Sequence, residues 1–545
     1  MPQLGAPGRW LLTGSAVMTT AGLVAGFAPV VVAGAAVLSG LAVGYVASLP
    51  LSRVMRRKRL EFSWWIKPRV DASGSAQAPR RPDEPVALRV TLRNPTDETL
   101  RFSTPRLALS PGLRYTREGG ARVEVPPRSL VAFDLEVSAA YAGRHVLHGA
   151  WMSLSGPLGV VWVPLYFPSP LVLEVQPRGA GGLAGAQART RNLPSAVRTG
   201  KATRRAGEGP ELRELRDHQP GDPYRRIAWG PSARRGKLLV RETEDESQTT
   251  RCLVVDASAT MRGDDSGRAR LDYVIEVAAQ AARAAQSAGD RLGLWAFDRR
   301  VVSAVAAGDG SQHLRALVQS AIELRGLVDE DLTDLDDEGL IETVARYFRE
   351  QEGVDVFRGA RAYEARERIL RLIERSAGAD PAMRVAVRAT EHTARVMRAF
   401  CRARAITLPL KVDPSGEAKM RGLVEALGAA MEGAREPRTL LVLSDLDQVG
   451  SEYASLRKAL GVAKMKRHRV SMVVPVGDDF MPRVKRSLAG EAREAAEAVR
   501  SLLLAEEQSR VEGLRGVLGK LGVPLLTVRA GDGFARILRV TAARR

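Results

Sequence analysis

The chain has 545 residues, a formal net charge of +20 at pH 7 and an apolar share of 45%. That length exceeds what one core can serve and predicts about three domains, while the composition excludes wholesale disorder. Two cysteines, Cys252 and Cys401, exclude a disulfide framework and fit a reducing compartment. The basic excess suits nucleic acid or anionic lipid as a partner, or is a background spread over the whole surface.

Residues 10–52 contain no Asp, Glu, Lys or Arg. As one straight helix they would extend roughly 60 Å, about twice a bilayer core, and Gly26 and Pro29 interrupt them near the middle. Two spans joined by a tight hairpin are therefore predicted within residues 1–60. A secretory signal fits less well, since its apolar region would be about 7–15 residues. Arg53, Arg56, Arg57, Lys58 and Arg59 follow at once, and basic flanks favour the cytoplasmic side. A hairpin returns the chain to its starting side, so the expectation is a two-helix protein of the cell membrane with its bulk in the cytoplasm.

Residues 70–84, rich in Pro, Ala and Ser, read as a spacer. Short alternating runs then begin at 86, 122, 130, 144, 160 and 171, separated by turn signals such as Asn94-Pro95 and Pro111-Gly112. Period-two strands at this spacing predict an all-β sandwich over about 85–177. Residues 178–206 read as a loop within an Arg-rich segment, 178–250. From Arg251 the pattern changes to continuous apolar runs, RCLVVDAS, RLGLWAF, VVSAVAA, TLLVLSDLD, VSMVVPVG and VPLLTVRA, with helical sequence between most of them. That alternation predicts a doubly wound α/β domain over 251–545. More helix than one crossover needs lies at about 340–436, which reads as an insertion. Residues 483–519 read as a charged helix with an apolar stripe.

Most catalytic signatures are absent. GPSARRGKL at 230 resembles a phosphate-binding loop, but five residues separate its glycines and Leu238 follows Lys237 where Ser or Thr would meet magnesium. His145 and His148 lie three apart in a predicted strand, so they point to opposite faces and a shared metal is not expected. One constellation is better placed. Asp256, Ser258 and Thr260 follow the first strand of the α/β domain, at the carboxyl edge where such sheets bind ligands, and Asp445 ends another strand at that edge. A carboxylate and two hydroxyls from one loop are hard oxygen donors suited to magnesium or another divalent cation. Capping of the next helix by Asp256 and Ser258 is the alternative role.

This arrangement resembles the von Willebrand factor A domain and its metal-ion-dependent adhesion site. The resemblance implies Asp256, Ser258 and Thr260 as the first metal loop, with Thr where Ser is more usual, and Asp445 as the late acidic residue. It also implies a Thr on a middle loop, for which Thr333 is one candidate and Ser415, in DPSGEAK, is the rival.

Residues 207–246, GEGPELRELRDHQPGDPYRRIAWGPSARRGKLLVRETEDE, resemble the family called "domain of unknown function 58". Arg213, Pro220, Gly221, Asp222, Arg226, Trp229, Ser232, Arg234, Arg241 and Glu242 fit its pattern, and His218 stands where the family commonly has Tyr. Pro220 and Gly221 suit the centre of a type II turn. Guanidinium groups amid many carboxylates favour internal pairs, and Trp229, Leu238, Leu239 and Val240 are expected to anchor the segment to a core. The resemblance implies an adaptor working with a MoxR-type AAA+ ATPase. With the apolar N-terminus and no catalytic motif, the expectation is a membrane-anchored, non-enzymatic interaction protein that docks through magnesium held by Asp256, Ser258 and Thr260. The alternative is a membrane-tethered nucleic-acid binder using residues 178–241, which hold fifteen basic and five acidic residues.

Overall fold

The structure, a computed structural model, describes residues 3–57, 60–68, 79–117, 122–156, 159–180, 202–219, 222, 224–246, 248–263, 267–359, 362–377, 392–447, 453–481 and 490–543. They fall into two compact units, Met1–Val175 with Val328–Pro409, and Gln176–Leu327 with Leu410–Arg545.

The first unit opens with the helices Ala6–Val24 and Ala28–Arg57. Gly26, with φ +66°, turns the chain between them at a backbone conformation that side chains disfavour. The 20 residues Ala28–Ala47 are long and apolar enough to cross a bilayer, and Val32 and Val43 on that helix stand exposed.

Two antiparallel sheets follow. One orders the strands Glu61–Ile66, Val86–Arg93, Leu130–Ala139 and Leu113–Arg117. The other is built on the pair Gly143–Ser155 and Val161–Val175. Alternating side chains from both, Leu88, Val90, Leu135 and Val137 against Leu147, Ala150 and Leu173, share one core. The runs at 160 and 171, expected as two strands, are a single strand whose register shifts between Pro168 and Leu171. Pro170 lacks an amide donor, and a bulge lets the ladder pass it. Strands Glu61–Ile66, Leu100–Phe102, Arg106–Leu109 and Leu113–Arg117 carry too few alternating residues to stand out in the sequence.

The expected insertion at about 340–436 divides. Helices Asp337–Tyr347, Ala362–Ala377 and Thr393–Ala403 belong to the first unit, whereas Glu417–Met431 belongs to the second. The former have their own core, with Phe348 and Phe400 stacked at 5.2 Å. They meet the sheet through polar groups: Tyr347 Oη lies 3.1 Å from His148 Nδ1, and Tyr166 Oη donates to Gln351 Oε1 at 3.1 Å. His145 instead has Nε2 3.0 Å from the Tyr141 carbonyl, so the two histidines serve different neighbours.

In the second unit, strands Ala202–Asp217 and Leu239–Glu246 form an antiparallel ribbon, so residues from 202 onward are strand where a loop was expected; residues 181–201 lie outside the described residues. The central sheet runs Val301–Gly308, Arg291–Phe297, Thr250–Asp256, Thr439–Leu443, Arg469–Pro475, Leu525–Val528. All neighbours are parallel except the first edge strand. The five-residue strand Thr439–Leu443 is apolar throughout after its first residue, as a strand covered on both faces requires. The helix Glu491–Lys520 buries Val511, Leu514 and Leu518 in its second half and leaves Val499 and Leu502 exposed in its first.

Burial, then the nearby Arg404 charge, push the His148 pKa down from 6.5 to about 4. The folded state thus holds this ring neutral. Its contribution to stability is complete above pH 6.5 and is lost as pH falls toward 4, reaching about 3 kcal/mol. His148→Gln, which cannot titrate, should flatten that acid limb in denaturant unfolding followed from pH 7 to 4.

Candidate functional site

The carboxyl edge of the central sheet collects Asp256, Ser258, Thr260 and Asp445, and adds a residue the motif did not include. Asp256 is the last residue of the central strand, and Asp445 lies just past the end of the adjacent parallel strand Thr439–Leu443. Both are fully buried. Lys419, near the start of the helix Glu417–Met431, is itself only 6% exposed and places Nζ between them. The ammonium lies 2.7 Å from Asp256 Oδ2 and 2.5 Å from Asp445 Oδ1, and donates to Thr260 Oγ1 at 3.0 Å. Its three donors therefore meet three oxygens.

The remaining lone pairs are used as well. Asp256 Oδ1 accepts from the Ser258 amide at 2.9 Å, and Oδ2 also accepts from Ser444 Oγ at 2.5 Å. Ser258 Oγ lies 3.1 Å from Thr260 Oγ1. Asp445 Oδ1 also takes the Asp447 amide at 3.0 Å, and Oδ2 faces Arg270 at 3.5 Å. Arg270 pairs in turn with buried Glu507, which accepts the Gly477 amide. Between Asp445 and Asp447, Leu446 holds φ +50°, a conformation costing a non-glycine residue about 1 kcal/mol or more. Its buried side chain keeps the turn in place.

The charges follow this geometry. Burial opposes the charge on Lys419, but the Asp256 and Asp445 carboxylates outweigh it and hold the pKa above the usual lysine value. For Asp445, burial is the largest influence and acts upward. Lys419, Arg270 and the hydrogen bonds overcome it and bring the pKa down to about 2. Asp298, just beyond the neighbouring strand Arg291–Phe297, goes the other way. Burial and then the Asp256 charge push it up to about 6. The helix carrying Lys419 comes this close because Gly422 sits against the Asp298 carbonyl, where a Cβ would lie at 2.1 Å.

These residues do not fit a divalent cation. The place a metal would take between the carboxylates is filled by an ammonium, whose donors engage oxygens of Asp256, Asp445 and Thr260 at 2.5–3.0 Å. Magnesium docking as expected from the sequence therefore lacks its site while Lys419 is in place. Among the described residues no group of three or more His, Cys, Asp or Glu is arranged to hold a metal.

The two candidates for the middle loop are engaged with other groups. Thr333 belongs to the first unit, where its hydroxyl donates to the Asp329 carbonyl at 3.0 Å and accepts from Arg398. Ser415 is exposed and donates to Asp413 Oδ1 at 2.8 Å, in the turn that leads to the Lys419 helix. DPSGEAK contains Lys419, and the signal for it is positional. Residues 419, 420, 423, 426, 427 and 430 share one face of this helix, and the other five are apolar and buried.

The Arg-rich segment departs from expectation at its aromatic residue. Trp229 is 64% exposed and Leu238 47%. Ile227, Ala228, Leu239 and Val240 are buried instead, with Ile227 bridged to Val240. The seven-residue helix Trp229–Arg235 begins one position after buried Ala228, which turns the indole outward. Ser232 pins that helix by donating to the Ala228 carbonyl at 2.8 Å and accepting the Leu239 amide at 2.9 Å. The Asp222 amide donates to the Gln219 carbonyl at 3.1 Å, closing the turn whose central residues, Pro220 and Gly221, lie outside the described residues. Arg213, Arg241 and Glu242 are in the ribbon and Arg226 in the short turn Tyr224–Arg226; their side chains also lie outside the described residues. Arg234 is exposed.

Residues 214–342 match the family described as "Protein of unknown function DUF58". The match takes in the first-loop residues and ends before Lys419 and Asp445. Uncharacterized proteins of Mycobacterium tuberculosis and Mycobacterium bovis are 30% identical over 114 residues, 21% of this chain and 36% of theirs. The chain thus spans about a third of the length of the curated relatives it matches. Among solved structures, a Salmonella alpha-2-macroglobulin mutant is 14% identical, with 83% of this chain and 26% of that one covered and a TM-score of 0.16. For E. coli alpha-2-macroglobulin the values are 13%, 75%, 22% and 0.15. Neither likeness establishes a shared fold.

Removing one partner of a buried ion pair costs about 3–5 kcal/mol where the other charge is left uncompensated. Lys419 keeps a second carboxylate in either case, so Asp256→Asn and Asp445→Asn should each destabilise the second unit by less than that in denaturant unfolding near neutral pH. Because the Asp445 pKa falls from 3.8 to about 2, its contribution is complete above pH 3.8 and is lost as pH drops toward 2. Asp445→Asn should remove that limb.

Proposed function

We propose that this chain is a membrane-anchored interaction protein whose second unit is a von Willebrand factor A-like domain, and that it docks partners through the exposed part of its Arg-rich segment. The observation that carries this reading is the composition and exposure of residues 224–238. They include five basic residues, Arg225, Arg226, Arg234, Arg235 and Lys237, and no acidic one. Tyr224, Trp229 and Leu238 stand 76%, 64% and 47% exposed among them. Large side chains of this kind dominate binding energy at interfaces, and Arg is enriched there. Buried Ile227, Ser232, Leu239 and Val240 hold the segment in shape, so little ordering cost opposes binding.

The partner is an acidic protein surface, and the family resemblance names a MoxR-type AAA+ ATPase as its class. Two spans, Ala6–Val24 and Ala28–Arg57, form the anchor, with Gly34 close against Thr19 and the Ser15 carbonyl. The basic residues after the second span put the rest of the first unit and the whole second unit in the cytoplasm. The strand order, with its single antiparallel edge and with Asp256 and Asp445 at the carboxyl edge, supports the A-like assignment.

The second reading, nucleic-acid binding, is favoured by the same interleaving of rings and guanidinium groups, since bases stack on exposed Trp and Tyr. Binding experiments separate the two. With the full chain in nanodiscs, Trp229→Ala and the pair Arg234→Glu with Arg235→Glu should each weaken capture of a purified MoxR-type ATPase by roughly tenfold or more. Unchanged affinity in both variants overturns the docking surface. Steeply salt-dependent binding of a single-stranded oligonucleotide, lost in the same variants, would favour the second reading. For the anchor, protease added outside spheroplasts should leave both units intact, and their digestion would reverse the orientation.

A further inference from the structure

The cluster at the carboxyl edge of the sheet has the donor set of a cation site and a cation supplied by the chain itself. Two carboxylates, fully buried at the ends of adjacent strands, would repel each other if nothing positive lay between them. The Lys419 ammonium lies between them, and Thr260, with Ser258 behind it, completes the oxygen cage. Asp256 and Asp445 face Lys419 and Arg270, while Arg270 also answers Glu507. Adding a divalent ion would place two more positive charges beside a buried ammonium whose donors are all engaged.

We propose that Lys419 is a built-in cation that fills the position of a divalent metal at this sheet edge, and that its removal uncovers a divalent-cation site formed by Asp256, Ser258, Thr260 and Asp445. The native chain is thus independent of divalent cations for the shape of this edge. The inference rests on the cluster alone and stands apart from the docking surface at residues 224–238, so either can fail without the other.

Two features favour this over an ordinary buried ion pair. The lysine does not bond to one carboxylate in passing; it is equidistant within 0.2 Å between oxygens from two strands and also bonds a hydroxyl of the intervening loop. Moreover, the loop hydroxyls of Ser258 and Thr260 face each other at 3.1 Å beside the ammonium. Hard oxygen donors gathered around one point are what magnesium and manganese bind, and the lysine occupies that point.

The test uses the full chain in detergent. The native protein should hold no stoichiometric divalent metal by elemental analysis, and its melting temperature should be unchanged by chelator or by magnesium or manganese. Lys419→Ala should melt lower, recover on addition of magnesium or manganese, and bind one manganese ion per chain by calorimetry and electron paramagnetic resonance. The double variant Lys419→Ala, Asp256→Asn should lose that gain. One metal ion per native chain, or a chelator-induced drop in its melting temperature, overturns the proposal whether or not any variant folds. A folded Lys419→Ala, or the better-filled Lys419→Met, that gains no saturable cation binding also overturns it and leaves the cluster as a salt bridge.

Discussion

Bringing two carboxylates into the dry edge of a parallel sheet is the constraint on which the second unit depends. Strand Thr250–Asp256 and its neighbour Thr439–Leu443 pair along their whole apolar lengths, and the continuation of that pairing leads Asp256 and Asp445 to the same place. Both ionised there with no counter-charge, they would oppose the ladder that brought them together. Lys419 resolves this from the helix that packs over the strands. One ammonium thereby ties two strand ends, the Ser258–Thr260 loop and a crossover helix to a single geometry. Arg270 and Glu507 extend the tie to two further helices, Arg270–Ala288 and Glu491–Lys520.

Stability alone does not account for such a cluster. The desolvation of three charges offsets much of their attraction, and well-packed apolar side chains often do as well. What the ion cluster adds is directionality. An apolar trio tolerates small rotations of the helix, whereas three donors on one ammonium meet three oxygens in only one placement of Lys419. Gly422 sharpens this, because a side chain there would collide with the Asp298 backbone and lift the helix away. Asp298 itself, buried beside the Asp256 charge, has its pKa pushed up to about 6.

The sequence made the strands of this unit legible and concealed the group that organises them. RCLVVDAS and TLLVLSDLD read as buried strands ending in acid because a long apolar run has few other destinations. Lys419 sits in a short helix whose other charged residues are solvated, and one lysine among alanines reads as surface until its place on the apolar face is counted. The resemblance to a metal-binding arrangement points away from it, since there the cation comes from outside the chain. Trp229 differs from expectation for a related reason. An aromatic residue beside an apolar run suggests a core, but small Ala228 takes the inward position and the helix that starts next turns the indole to solvent. Thr333 was implied by the resemblance alone, and its hydroxyl is engaged by Arg398 within the first unit.

The two halves of the second unit then divide the chemistry between them. At the sheet edge the Lys419 ammonium and both carboxylates are answered internally, and an incoming carboxylate would find a lysine only 6% exposed. Docking there would require breaking contacts worth more than a single new ion pair returns. The Arg-rich segment is built the other way round. Its apolar anchors and Ser232 are spent on holding shape, while Tyr224, Trp229, Arg225, Arg234 and Lys237 are left to solvent. On the function proposed above, recognition lies in the exposed segment and not at the closed edge. Residues 224–238 offer to solvent what the edge encloses, with rings and positive charge side by side.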